Sequence, residues 1–182
     1  MISKENASIY LSSYLNEAAI SKSGVNAKLI FETENPNRPG TITEKTGTSL
    51  LSKSAAIGSP GVLVGANYIT GNMEFNSGNI TAEAFYDGAG IGGGNGYGCN
   101  LIYINGGSII ARGGQYGAGI GGGLKAGSMN IFIRGGTVYA YAGAHSAGIG
   151  GGGNTANSVD AFLKNLETVF ISDEARQQNA KS

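Results

Sequence analysis

Residues 88–94 read GAGIGGG, residues 117–123 repeat that string letter for letter, and residues 146–152 read SAGIGGG. The spacing from Gly88 to Gly117 and from Gly117 to Ser146 is 29 residues in both cases. A fixed period of this size marks a repeat architecture. The alignment extends beyond the glycines. Met73, Ile102 and Ile131 fall at one repeat position, and Phe75, Ile104 and Ile133 at another. Ile80, Ile109 and Val138 form a third column, Ala82, Ala111 and Ala140 a fourth, and Ile91, Ile120 and Ile149 a fifth.

Within each copy the apolar residues alternate. Ile131 and Ile133 are two apart, Gly135 and Gly136 follow, and then Val138 and Ala140 are again two apart. Period two is the signature of a strand. The β-branched and aromatic content of NIFIRGGTVYAYA agrees with it. Each copy therefore reads as strand, glycine turn, strand and glycine-rich return. The Gly-Gly turn suits either an antiparallel hairpin or a corner between two faces of a stacked coil. Equal spacing favours the coil, because each strand then pairs with its own repeat one coil away and the inward columns merge into one core. The glycine run itself loses much backbone entropy on ordering. It makes sense where backbones must approach closely or adopt positive φ, with the central Ile as an inward peg.

The flanks carry weaker copies. Ser59–Gly65 (SPGVLVG) lies one period before the first GAGIGGG and puts Val62 at the Ile position. TITEKTGTSLLSKSAAIG before it reads as a worn strand pair, and AKLIFE (Ala27 to Glu32) as a strand. Glu34 to Gly40, ENPNRPG, is a loop by composition. Downstream, AFLKNLETVFIS (Ala161 to Ser172) continues the columns through Ala161, Leu163, Val169 and Ile171; a helix is the rival reading. At the N-terminus, Ile9, Leu11, Tyr14, Leu15, Ala18 and Ala19 make a helical stripe, Ser3 can cap it and Gly24 can stop it. A helix there would cover the open end of the stack. The expected fold is all-β: a parallel β-solenoid with 29-residue coils and an N-terminal capping α-helix. Its parts are the helical cap (1–24), the solenoid (25–172, with clear repeats over 72–153) and a polar tail (173–182).

Composition narrows the function. Glycine supplies 33 of 182 residues, and 12 basic residues balance 12 acidic ones. A chain without excess Lys and Arg is not an electrostatically driven nucleic-acid binder. With 41% apolar residues it is not a charge-rich disordered chain either. One Cys (Cys99) and one His (His145) argue against a disulfide framework and against the usual zinc sites, so no metal and no cofactor are expected. No apolar run reaches the ~18 residues of a membrane span. MISKENASIY lacks the apolar core of a signal peptide.

Gly88, Gly90 and Gly93 meet G-x-G-x-x-G, as do Gly117, Gly119 and Gly122. A dinucleotide site needs that motif once, between a strand and a helix. Here it recurs at a constant interval with no helical pattern after it. Carboxylates are sparse: Glu74, Glu83, Asp87 and Asp160. Asp87, Tyr116 and His145 share a repeat position. At ~4.8 Å per coil, Asp87 and His145 stand roughly 10 Å apart, too far for a direct relay. The chain is therefore read as no enzyme. The outward strand positions are more informative. Glu74, Tyr103 and Phe132 form one column, Thr81, Ile110 and Tyr139 another, and Glu83, Arg112 and Tyr141 a third. Tyr103, Phe132, Tyr139 and Tyr141 with Arg112 are the candidate ligand-binding residues. Flat aromatics on a rigid sheet can stack on sugar rings, and exposed apolar patches mark contact surfaces. Cover by a loop, a terminal segment or another subunit is the competing reading.

YINGGSIIARGGQYGAGIGGG (Tyr103 to Gly123) and IRGGTVYAYAGAHSAGIGGG (Ile133 to Gly152) resemble a glycine-rich GAGIGGG repeat of bacterial cell-surface, adhesin-like proteins. The resemblance covers Asn72 to Gly153. It implies binding or scaffolding at a cell surface or outside the cell, and carries over no catalytic residue. Members have export signals and wall anchors that this chain does not show. A phage tail receptor-binding tip on a virion would need neither. The expected partners are a glycan or protein receptor, or another copy of the chain, with no nucleic acid and no membrane insertion. A structural spacer or self-assembling solenoid unit is the alternative.

Overall fold

The computed structural model describes residues 8–13, 18, 20–21, 28–33, 39–47, 49–61, 68–70, 72–127, 130–154, 160–163 and 168–172. The chain winds through successive coils. The first holds β1 (Ser8–Ser13) and β2 (Ile20–Ser21). The second holds β3 (Lys28–Phe31), β4 (Thr41–Thr46), β5 (Ile57–Gly58) and β6 (Tyr68–Thr70). The third holds β7 (Asn72–Phe75), β8 (Asn79–Glu83), β9 (Ile91–Gly92) and β10 (Tyr97–Cys99). The fourth holds β11 (Leu101–Ile104), β12 (Ser108–Arg112) and β13 (Ile120–Gly121). The fifth holds β14 (Asn130–Ile133), β15 (Thr137–Tyr141) and β16 (Ile149–Gly150), and the sixth β17 (Asp160–Leu163) and β18 (Thr168–Ser172).

Equivalent strands of adjacent coils pair in parallel and form three main sheets. The long sheet runs β1-β4-β8-β12-β15-β18, the second β3-β7-β11-β14-β17, and the short glycine sheet β2-β5-β9-β13-β16; β6 and β10 make a small fourth ladder. The strands of every sheet lie in chain order, as a coil that stacks on its predecessor requires. The chain is a parallel β-solenoid.

The repeat columns are register partners. Ile102 lies between Met73 and Ile131, Ile104 between Phe75 and Ile133, and Ile109 between Ile80 and Val138. Their side chains point inward and are buried, at 0–3% exposure, together with Ala82, Ala111 and Ala140. Fully burying one Ile side chain contributes ~1.5–3 kcal/mol, so a coil with four or five such residues holds its neighbours chiefly through them. The sixth coil keeps the register expected for it: Ala161 pairs with Ile131, Leu163 with Ile133, Val169 with Val138 and Ile171 with Ala140. Lys28–Phe31, the KLIF of AKLIFE, forms β3, a strand as expected.

The glycine run forms a ladder between coils. Ile91 N–H donates to the Gly119 carbonyl at 3.0 Å, and Ile120 N–H to that of Gly148 at 2.9 Å. Gly92, Gly121 and Gly150 hold φ of +134°, +141° and +143°. A Cβ on Gly92 would collide with the carbonyl oxygen of Gly121 in the next coil. Close approach and positive φ therefore act at the same position. Ile91 and Ile120 are the inward pegs, both fully buried.

Three expectations change. Within the range expected as a capping helix (1–24), Ser8–Ser13 and Ile20–Ser21 are strands and no described residue is helical. β1 pairs along its whole length with β4, and Ile20 pairs with Ile57. Ile9 and Leu11 fit a period of two as well as a helical stripe, and the edge of β4 offers a ready ladder for a strand, whereas a short lone helix is marginal because its first turn is costly to form. Tyr14, Leu15 and Ala19 lie outside the described residues, as does the tail 173–182. The frame before Asn72 also changes. Ile57, not Val62, is the partner of Ile91, so the copy of the glycine motif is Ser54–Pro60. Val62 lies outside the described residues. Finally, the 29-residue coil is a property of the central copies. Leu29 pairs with Met73 and Ile131 with Ala161, so the end coils have other lengths.

Candidate functional site

Alternation sends every second residue of each strand outward, and parallel in-register stacking makes like positions into columns ~4.8 Å apart per step. On the second sheet the column is Ile30, Glu74, Tyr103, Phe132 and, by register, Phe162. The Tyr103 and Phe132 rings are stacked, with centroids 5.0 Å apart and planes 11° from parallel. Arg134, an exposed residue just past β14, lies with its guanidinium carbon 4.9 Å from the Tyr103 ring centre and 5.4 Å from that of Phe132. Such contacts contribute ~0.5–1 kcal/mol at exposed sites. At the other end of the column, Glu74 forms an ion pair with Lys28. Asn105 donates through Nδ2 to Glu74 Oε1 at 3.2 Å and to Asn76 Oδ1 at 2.8 Å. The hydrogen bond from Lys28 holds the Glu74 carboxyl below the usual carboxylate range, against a smaller opposing effect of desolvation.

On the long sheet the outer column is Lys45, Glu83, Arg112 and Tyr141. Glu83 bridges the two cations, with Lys45 Nζ 2.6 Å from Oε2 and Arg112 Nε 3.3 Å from Oε1. The Arg112 guanidinium carbon sits 4.0 Å from the Tyr141 ring centre. Beside it run Thr43, Thr81, Ile110 and Tyr139. Tyr139 and Tyr141 are half-buried.

The five candidate residues thus fall on two sheets. Tyr103 and Phe132 are together on one; Arg112, Tyr139 and Tyr141 are together on the other. The turn through Gly106 and Gly107 is a corner between sheets, so residues before and after it face in different directions. Arg112 does not stand beside Tyr103; Arg134 does. The signal for Arg134 was present in IRGG, one residue beyond the strand, but turn residues rarely point along a strand column.

A third aromatic group lies between the long and glycine sheets. Tyr116 stacks on His145 at 5.0 Å, and Tyr86 meets Tyr116 edge-on at 5.4 Å. Asp87 leaves this column. It is buried, and its Oδ2 accepts from Asn95 Nδ2 at 2.7 Å. Burial pushes its carboxyl upward, partly offset by the Asn95 hydrogen bond and by Lys53 and Lys125. Among the described residues no three of His, Cys, Asp and Glu gather as metal ligands. The G-x-G-x-x-G segments contain the short Ile–Gly strands rather than opening a helix, and amides within them serve the inter-coil ladder. No helix among the described residues is long and apolar enough to cross a membrane.

No curated protein and no solved structure matches the chain. Residues 76–95, 102–124 and 133–153 match a family profile described as a beta helix repeat. Each segment covers the turn, the strand after it (β8, β12 or β15) and the glycine run of the third, fourth or fifth coil. Fold and profile agree: this is a β-solenoid module built on segments similar to the beta helix repeat.

Proposed function

We propose that the chain is a non-enzymatic adhesion module of a surface, secreted or virion protein, holding a glycan or protein receptor along the outside of its second sheet. The observation that carries this reading is the row formed by Tyr103, Phe132 and Arg134. The two rings face each other along the solenoid axis. A receptor would meet ring edges and the exposed Arg134 guanidinium, a donor fork suited to carboxylates and hydroxyls. This differs from face-on stacking of a sugar. The resemblance to glycine-rich cell-surface repeats supports the same reading. Glycan-array and receptor-panel binding by the intact chain tests it: binding lost in Tyr103→Ser/Phe132→Ser and in Arg134→Ala supports the site, and binding that survives both refutes it.

A second reading has its own observation. The Arg112–Tyr141 contact and the Tyr103–Phe132 stack tie one coil to the next. A rigid spacer would use its aromatics in this way. Under that reading the substitutions lower the melting temperature and no receptor is found.

A further inference from the structure

Glu44 stands where later coils carry alanine. It is the register partner of Ala82, and the column continues through Ala111 and Ala140. All four residues are fully buried. Neither carboxylate oxygen of Glu44 has a hydrogen-bond partner among the described residues. On its other side Glu44 pairs with Leu11 of β1, so the acid lies directly beneath the first coil.

Among the described residues, the groups that could answer its charge face elsewhere. On β4, Lys45 points outward to Glu83 of β8, which also binds Arg112. On β1 the titratable residue is Tyr10, 77% exposed. On β3, Lys28 pairs with Glu74 of β7 on the outer face, and Glu32 beyond it is exposed. β2 and β5 carry only Ile20, Ser21, Ile57 and Gly58. Asp87, past β8, is engaged with Asn95. An unpaired carboxylate in such an interior either takes up a proton or is released to water.

We propose that Glu44 is a proton-operated latch on the first coil: β1 and β2 close over the neutral acid and lift away when it ionises. The first coil is the element able to yield. β1 is the end strand of the long sheet, its Leu11 occupies an inward position yet is 38% exposed, and opening it leaves β4 paired with β8. Burial pushes the Glu44 carboxyl from 4.5 up to about 7. The folded value lies above the unfolded one. The latch is therefore fully closed below the ordinary carboxylate range, and its hold is lost as pH rises through about 7.

Hydrogen exchange of the Ser8–Ser13 amides in the full chain, corrected for intrinsic rates, tests this. From pH 5 to pH 8 the opening constant of β1 rises roughly 50- to 100-fold, at tenfold per unit of pKa difference. In Glu44→Ala, whose side chain matches the rest of the column, it stays flat. A flat wild-type profile, or the same slope in Glu44→Ala, overturns the latch. So does a Glu44 carboxyl whose NMR titration midpoint is that of a solvated carboxylate.

Discussion

A Cβ built on Gly121 would overlap the carbonyl oxygen of Gly150 and stand 2.9 Å from its carbonyl carbon. The two glycines are register partners on adjacent short strands, both at strongly positive φ. Among the described residues, a Cβ on Gly150, which sits on the last strand of its sheet, meets only the Ala147 Cβ at 3.1 Å. Gly121→Ala should therefore cost about 4 kcal/mol or more, because coils must separate. Gly150→Ala should cost only the backbone strain, about 1–2 kcal/mol. Urea denaturation of the two variants measures both; equal losses would show that φ alone, and not the stacking distance, demands glycine.

Arg112 links two coils in opposite ways, by an ion pair to Glu83 and by its contact with Tyr141. Both are partly exposed, and exposed pairs contribute little. Arg112→Ala is expected to lower stability by about 1 kcal/mol, and a double-mutant cycle with Tyr141→Ala to give a coupling of about 0.5–1 kcal/mol. A coupling indistinguishable from zero would reduce the ring contact to mere proximity.

Glu74 titrates low because Lys28 donates to it. Its contribution to stability is present above the ordinary carboxylate value and lost as pH falls through the lower folded value. Lys28→Met should move the Glu74 titration midpoint upward, toward the usual range, in carboxyl NMR. An unmoved midpoint would assign the shift to Asn76 and Arg134 instead.

Asp87 has the opposite sign. Burial raises its folded value above 3.8, so its contribution is complete below the ordinary Asp range and is lost as pH rises through the folded value. Asp87→Asn keeps an acceptor for Asn95 and removes the ionisation. Relative to wild type, this variant should gain stability between pH 3 and pH 7 in denaturant titrations. A pH-independent difference would mean that Asp87 stays solvated.

Single-site truncation of the core offers the plainest check on the columns. Ile102 is fully buried between Met73 and Ile131. Ile102→Ala should cost about 2–5 kcal/mol. Thermal or urea unfolding reads the loss, and a cost below about 1 kcal/mol would contradict a packed interior at this layer.

Two of the three departures from the sequence pattern, at Ile57 and at Ile9–Leu11, have different local causes but were settled in the same way. Near Ile57 the copy of the glycine motif is SAAIGSP, whose small residues stand in for glycine. Constant 29-residue spacing misses it because the second coil is longer than the third. At Ile9 and Leu11, six residues are too few for period two and period 3.6 to be told apart. What decided both was the neighbouring strand, β9 in one case and β4 in the other.

The parallel stack, its interior columns and the role of the glycine run were legible in the order of residues. These follow from spacing alone, because an in-register coil places each residue beside its own repeat. The folded arrangement of the coils set which outward side chains share a face, since corners turn neighbouring strands onto different sheets. It also brought Arg134 back over Tyr103 and put an ionisable Glu44 into an alanine column. A linear pattern records which residues alternate, whereas charge, burial and contact across coils arise only when the third dimension brings separate turns of the chain together.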